Sequence, residues 1–587
     1  MAKKLKLFFF IIKCIFLCEK KEFKRQLEYV DFFIKNVNLI KYILFLFDRK
    51  NINPIKIHAF KDYINKNKKK WNKINKKKKY SSKSILVENF INQAAYGLSN
   101  VIIGKFLANI SNQNLIGFIR SGDLKSEILF RSFGVDNFLY FKNKNFFQRL
   151  KYIFISLKII DNKYDIKKFC KLKINQIDIG LPSYDSYIRY TGKPTLDKVD
   201  EELLILLSDT IYSYDHFNNL LKKNKNIKSL IQSETAFSPL NIFFQVCLRQ
   251  KIEVFSRLGT NSFAVRRYNH LCQKYNYRAD ISQQIFNEVF ENFKKESLDG
   301  INRYYSKLEK EGFFGQDQRI RAKLKSKLKK LSKNDILKMF GWNKDKKVAV
   351  FFFNHLIDVN FHSGPRTIFK DNYTWSNYIL NKMRILKNIN WIIKDHPSQP
   401  FYKTKINFDK KVVELCKKYK HIKYFPLKYE PASLKNIANI AVTSHGTTGI
   451  EYPSFGIPSI YVENSFYSNL NFTNKIDNIK KLNYRLRYLH KSKKPSQTII
   501  DKSKIFLYIR YELLKSNCSL LSPHDTSRQI DENNFWLENA KRIKRFSFER
   551  DEFYKMFKFQ MKNDLRHTVN RNKLKIKDKI YNDFNES

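Results

Sequence analysis

Short apolar runs separated by small-residue turns mark the second half of the chain. Residues 347–353 (KVAVFFF), 390–394 (NWIIK), 421–424, 440–443 (IAVT) and 459–462 each read as a buried strand. Residues 374–386, 407–419 and a segment opening at Thr448 read as helices between them. The first half reads similarly, with strands at 115–119 (LIGFI), before Tyr140, and at 209–214 (DTIYSY), 229–232 and 251–256 (KIEVFS). There, 99–103 leads into Gly104 and 236–249 reads as a helix. Strands alternating with helices predict an α/β chain with two Rossmann-like domains.

Four sections follow from the pattern. Residues 1–85 form a basic, partly apolar extension, which ends in a lysine block, 66–79, read as a solvated linker or lipid-facing patch. Residues 86–335 are the first Rossmann-like domain, closed by a charged helical connection over 283–330. Residues 336–500 are the second, and 501–587 a basic helical tail with an amphipathic helix at 505–514.

Chemistry concentrates at the ends of the second domain's strands. After 440–443 comes Ser444-His445-Gly446-Thr447-Thr448-Gly449, and then a helix carrying Glu451. Glycines let backbone approach a ligand, and unpaired N–H groups at a helix start suit an anion. An N-capped helix would use the same residue types without any ligand. Strand 390–394 ends in Asp395-His396-Pro397-Ser398, strand 347–353 ends near His355, and His362 follows in a loop. Open α/β sheets bind ligands outside the carboxyl ends of their strands, so these motifs are expected to face one crevice. In the first domain, 177–189 reads IDIGLPSYDSYIR. There Asp185 and Arg189 share a helix face, the spacing also of an ordinary surface ion pair. Glu234 follows strand 229–232. The histidine spacings match no zinc pattern, so no metal is expected.

The pieces VAVFFFNHLIDVNFHSG (348–364), NWIIKDHPS (390–398) and TSHGTTGIEYPSFGIP (443–458) resemble bacterial capsule and surface-polysaccharide biosynthesis proteins. These are GT-B glycosyltransferases of the group containing capsule Kdo transferases and polysialyltransferases, and the IG-x-x-x-YDSY-x-R pattern recurs among them. The resemblance implies a GT-B fold, two Rossmann-like domains facing a cleft. It implies a nucleotide-sugar donor, a CMP-sugar ahead of a UDP-sugar, held by His396, Pro397, Ser398, Ser444, His445, Gly446, Thr447, Thr448 and Glu451. His396 would serve the leaving phosphate, Glu451 the ribose, and Asp185 or Glu234 would deprotonate the acceptor hydroxyl. His355, His362 and Arg189 would line the cleft. The acceptor would be a growing polysaccharide or glycolipid, and no cofactor beyond the sugar nucleotide is implied. A nucleotide-sugar 2-epimerase, a glycerol-phosphate transferase and an inactive membrane-attached scaffold are the rival readings.

Composition changes the picture only at the margins. The net charge is +58, from 112 basic and 54 acidic residues, which suits an anionic membrane surface as partner. No zinc-finger spacing or RNP motif accompanies it, so no nucleic-acid partner is expected. Residues 1–17 and 40–47 are apolar, too short to span a bilayer, and read equally as interfacial helices or as ordinary amphipathic or buried helices. Seven scattered cysteines without a C-x-x-C pair indicate reduced thiols and a cytoplasmic setting, and residues 1–85 would place the protein peripherally at the inner face of the membrane.

Overall fold

The computed structural model describes residues 2–587 except 50–53, 76–80, 92, 161–164, 258–262, 277–279, 311–327, 362, 397–398, 400–403, 522–531 and 571–587. Two parallel α/β sheets organise the chain. The first contains β1 (Ser84–Asn89), β2 (Asn114–Arg120), β3 (Asn137–Phe141), β4 (Ile227–Gln232), β5 (Glu253–Arg257) and β6 (Val265–Tyr268). Its order is β3-β2-β1-β4-β5-β6, with only β6 antiparallel. The second contains β7 (Val348–Phe352), β8 (Asn390–Lys394), β9 (Ile422–Tyr424), β10 (Ile440–Val442) and β11 (Ser459–Ile460), in the order β9-β8-β7-β10-β11. Strand order reverses beside β1 in one sheet and beside β7 in the other. This is the two-domain, Rossmann-like layout of the GT-B fold, and it puts a ligand crevice at each reversal.

Several segments differ from the sequence reading. Residues 99–104 lie inside a helix, Ala94–Ser111, that is buried on nearly every side and so shows no amphipathic period. Residues 209–214 lie inside Glu201–Lys223, where Leu203, Leu207, Ile211, Tyr214 and Leu221 keep a helical spacing longer than the six-residue window that reads as a strand. The strand β1 falls where the sequence reading placed a boundary. Residues 505–514 are buried all round rather than amphipathic, and the helix Gln497–Tyr508 continues into a π-turn, Ile509–Leu513.

The extensions belong to the first domain's core. The described part of the lysine block is helical, His58–Asn75, and buries Phe60, Tyr63, Asn67 and Trp71 along one face. The lysines take the other face. Phe60 and Tyr63 pack at a tilt against Trp536, with ring centroids 4.6 and 5.0 Å away. Trp536 belongs to a C-terminal helix, Glu532–Ile543. The next helix, Glu552–Lys562, packs on Ala94–Ser111, so the described tail beyond Lys541 is not simply polar. The chain then runs along β6: Arg267 N–H donates to the Arg566 carbonyl (2.7 Å) and Thr568 N–H to that of Val265 (3.1 Å). An edge strand that would otherwise offer open backbone groups is thereby covered.

The domains meet through the helix Gly180–Thr191, which holds the YDSY sequence, and the 358–372 loop beyond β7. Gly180 starts this helix against the carbonyl of Phe169. A Cβ there would lie 1.9 Å from that oxygen, so only glycine lets the helix sit this close. Tyr184 OH donates to Asp371 (2.9 Å), Thr195 OH to the same carboxylate (2.6 Å), and Lys405 N–H to the Gly192 carbonyl (2.9 Å). The carboxyl end of β7 is therefore fixed against the first domain.

Candidate functional site

The neighbouring strands β8, β7 and β10 end, in that spatial order, in Asp395-His396, Asn354-His355 and Ser444-His445. Asn354 bridges the reversal point: its Oδ1 accepts from Ser444 N–H (2.9 Å) and from the Thr443 hydroxyl (3.1 Å). His355 and His396 meet edge to face, 5.8 Å between centroids. Burial first, and then His396, push the His355 pKa well down, which keeps this ring neutral.

The Ser444–Gly449 turn is held from beneath. Tyr467 OH donates to the Gly446 carbonyl (2.7 Å) and lies where a Cβ on Gly449 would come within 2.0 Å. The helix beyond it, Thr448–Glu451, is a single turn. It carries little macrodipole, so the sequence-level picture of a helix dipole facing an anion is replaced by local donors. Among the hydrogen bonds described, the N–H groups of Thr447 and Thr448 donate to no backbone carbonyl. The Thr448 hydroxyl oxygen is buried with no partner. Ser444 faces inward instead, accepting from Arg366 Nη2 (2.7 Å). His445, also buried, lies 3.5 Å from Arg366 Nη1.

Arg366 is a residue that sequence reasoning missed. It is buried, donates to Asn372 Oδ1 (2.8 Å) and the Phe369 carbonyl (3.1 Å), and lies 3.9 Å from the equally buried Glu463. Burial pushes the Arg366 pKa down, and Glu463 opposes this. Glu463 accepts in turn from the N–H groups of Thr367 (2.6 Å) and Phe369 (3.0 Å). The only signal for this pair was two charged residues in otherwise small or apolar surroundings. Lys394 was missed for the same reason. It ends the apolar β8, is buried, and is held down at a pKa of about 8 by that burial.

The carboxylates divide into distinct settings. Asp185 is buried between the domains and accepts from Asn360 N–H (2.9 Å), and burial pushes it up to about 7 against that bond. Arg189 does not pair with Asp185 as an i,i+4 surface bridge would. It reaches Asp358 of the second domain, 3.7 Å away. Burial would raise Asp358, but Arg189, His355, His396 and the Val359 N–H together outweigh it and hold this carboxyl below its usual range. Glu234 is half-buried beyond β4, where its Oε1 accepts from Thr235 (2.9 Å) and Ala236 (3.2 Å) N–H groups. Glu451 accepts from Tyr511 OH (2.8 Å) and is pushed up by burial. Glu88, also missed, sits at the first sheet's reversal point, accepts from Ser233 Oγ (3.2 Å), and is pushed up to about 7 by burial. It lay in the strand that was read as a boundary.

His362, Pro397 and Ser398 lie outside the described residues. Among the described residues no group of three or more His, Cys, Asp or Glu is placed to hold a metal ion. The structure thus gathers His355, His396, Ser444, His445, Gly446, Thr447 and Thr448 beyond the carboxyl ends of β8, β7 and β10, with Asp185 and Arg189 meeting the adjoining loop. Glu234 is bonded within its own loop, and Glu451 to the 509–513 turn.

No family profile and no curated protein sequence matches the chain. Among solved structures, the KpsC β-Kdo 2,4 transferase of Thermosulfurimonas dismutans aligns at 11% identity over 48% of this chain and 79% of its own, with a TM-score of 0.32. A glycosyltransferase from Rickettsia africae aligns at 12% identity over 81% and 98%, with a TM-score of 0.24. The UDP-GlcNAc 2-epimerase of Neisseria meningitidis, bound to UDP-GlcNAc, aligns at 11% over 72% and 98%, with a TM-score of 0.21. Scores this low carry no argument of their own, and the fold described here rests on the two sheets.

Asp185 makes stability depend on pH. Its folded pKa of about 7 lies above the unfolded value of about 4, so the folded state holds its proton more tightly. The stabilisation is complete below the unfolded value and is lost as pH rises through about 7, with a slope of at most about 1.4 kcal/mol per pH unit. Asp185→Asn keeps an acceptor for Asn360 but cannot titrate. Urea midpoints at pH 5 and pH 7 are expected to lie closer together in the variant than in the wild type. An unchanged separation would show that Asp185 is not the titrating group.

Proposed function

We propose that this protein is a glycosyltransferase of surface-polysaccharide assembly that takes its sugar from a nucleotide-sugar donor, a CMP-sugar ahead of a UDP-sugar. The observation that carries the reading is the convergence of His355, His396 and the 444–448 turn at the second sheet's reversal point, where open α/β sheets take their ligands. The resemblance of the 348–364, 390–398 and 443–458 segments to capsule glycosyltransferases supplies the substrate class.

The donor phosphate would lie on the N–H groups of Thr447 and Thr448 and on the Thr448 hydroxyl, which together stabilise charge on the leaving group. His396 would donate to the same phosphate. Tyr511 would hold Glu451 for the ribose, and Ser444 and His445 would act from beneath through Arg366. Of the two carboxylates considered for deprotonating the acceptor, Glu234 is the one we favour. Asp185 is sealed into the domain contact and latches it, whereas Glu234 is only half-buried at a strand's carboxyl end.

Attachment to an anionic membrane surface is part of the proposal. Among the described residues no helix is long and apolar enough to cross a membrane. The helix Ala2–Asn36 nevertheless exposes Phe16, Phe23, Val30 and Ile34 in a helical stripe, and Leu39–Phe47 exposes Ile40 and Phe47. Lysines on both helices complement anionic headgroups.

Two measurements check this reading. Thermal shifts against CMP, CDP, UDP, GDP and their sugars are expected to show a CMP-selective stabilisation of about 2.7 kcal/mol at a hundred times the dissociation constant. His396→Ala and Thr448→Val are expected to reduce it; a UDP-selective shift would change the donor, and no shift with any nucleotide would remove the reading. In flotation with phosphatidylglycerol and phosphatidylcholine vesicles, the wild type is expected on the anionic ones only, and the Phe23→Glu/Phe47→Glu variant on neither. Equal binding of variant and wild type, or self-association in place of binding, would refute attachment through this face.

A further inference from the structure

The helix Gln497–Tyr508 runs on into the π-turn Ile509–Leu513, and the chain then crosses to the first domain, where Ser516 and Phe263 exchange N–H to carbonyl bonds of 3.0 Å each. Consecutive side chains of a regular helix point about 100° apart, and a π-turn is a local departure from that spacing. This one brings two consecutive residues to a single carboxylate. Tyr511 OH donates to Glu451, and the Arg510 charge opposes the rise that burial imposes on the Glu451 pKa. The same cation acts on Tyr467, whose OH holds the Gly446 carbonyl. Arg510 therefore stands beside the Ser444–Gly449 turn, although it belongs to a distant stretch of sequence.

The Arg510 guanidinium carbon lies 3.5 Å from the centroid of the Phe466 ring. At that separation the two planes stack, which fixes the guanidinium and directs its N–H groups along its edge. Glu451 balances the charge, but no carboxylate accepts from Arg510 Nη1, which is buried and has no hydrogen-bond partner. Arginine keeps its proton, so this N–H persists at any working pH, and a buried N–H without an acceptor is costly. An oxygen supplied by a ligand removes that cost. The Thr448 hydroxyl, on the same short helix as Glu451, is likewise buried with no partner. Two unfilled polar groups beside one turn, one of them on a permanent cation, suit a phosphate, whose oxygens match the planar fork of arginine.

We propose that Arg510 is a phosphate-binding residue of the nucleotide site, donating to a phosphate oxygen while its neighbour Glu451 serves the ribose. This inference rests on the nucleotide-sugar reading above and adds to it a residue from outside the strand-end motifs. The segment that carries Arg510 also bonds to the first domain at Phe263, so phosphate binding and one domain contact share a single stretch of chain.

The test measures the affinities of the full chain for CMP, cytidine, UDP, uridine and pyrophosphate, in the wild type, Arg510→Gln and Arg510→Lys. In Arg510→Gln the nucleotide is expected to bind about tenfold more weakly and its nucleoside as before. Arg510→Lys keeps a cation beside Glu451 and is expected to fold even if the glutamine variant does not. It lacks the planar fork, so a smaller loss, again confined to the nucleotide, is expected. Unchanged nucleotide affinity in the variants would overturn the role of Arg510 and leave the transferase reading standing. Equal losses for nucleotide and nucleoside would also overturn it, because Arg510 would then act through Glu451 and the ribose. Pyrophosphate binding that weakens in the variants, with no nucleotide bound by the wild type, would keep the anion contact and remove the transferase reading. Binding of neither nucleotide nor pyrophosphate would remove both.

Discussion

Arg366 and Glu463 are both buried, and neither charge would be tolerable there alone. Together they fix two pieces of backbone at once. Arg366 holds the Ser444 hydroxyl and the Asn372 side chain, while Glu463 collects N–H groups from Thr367, Ile368 and Phe369. The turn after β10 and the loop after β7 therefore move as one body. That loop also carries Asn360, which meets Asp185, and Asp371, which meets Tyr184 and Thr195. A buried ion pair in the second domain thus sets where the first domain sits relative to the candidate donor turn.

The second sheet was largely legible in the sequence because its strands are short apolar runs ended by turn residues. Strand β8 matches the apolar run NWIIK in full, and the one-turn helix opens at Thr448 where glycine and threonine break the run. The first domain was harder to read for a physical reason. Residues 209–214 are rich in apolar or aromatic residues but belong to a helix packed on several sides, and local pattern does not separate this from a strand. The lysine-rich stretch hid its apolar face because Phe60, Tyr63 and Trp71 are spread among lysines and find their partners, Trp536 for the first two and Phe546 and Phe548 for Trp71, far along the chain. The site divided in the same way. Strand-end motifs could be seen, whereas Arg366, Lys394 and Glu88 are single polar residues whose meaning comes from burial. The inward turn of Ser444 and the latch at Asp185 depend on contacts across the fold, which no local spacing encodes.

Because described segments towards both termini contribute to the first domain's core, the two domains differ in construction. The second domain is one continuous stretch of chain. The first is assembled from segments far apart in sequence, and the long N-terminal helix Ala2–Asn36 presents apolar residues outward.

The central claim is that a nucleotide lies on the turn between β10 and the helix Thr448–Glu451. Photo-cross-linking with azido-derivatives of CMP and UDP, followed by peptide mapping, addresses it most directly. Labelling is expected within 436–475 or 354–372, and excess unlabelled nucleotide is expected to abolish it. Labelling confined to the first domain, or labelling that excess nucleotide does not compete away, would contradict the account.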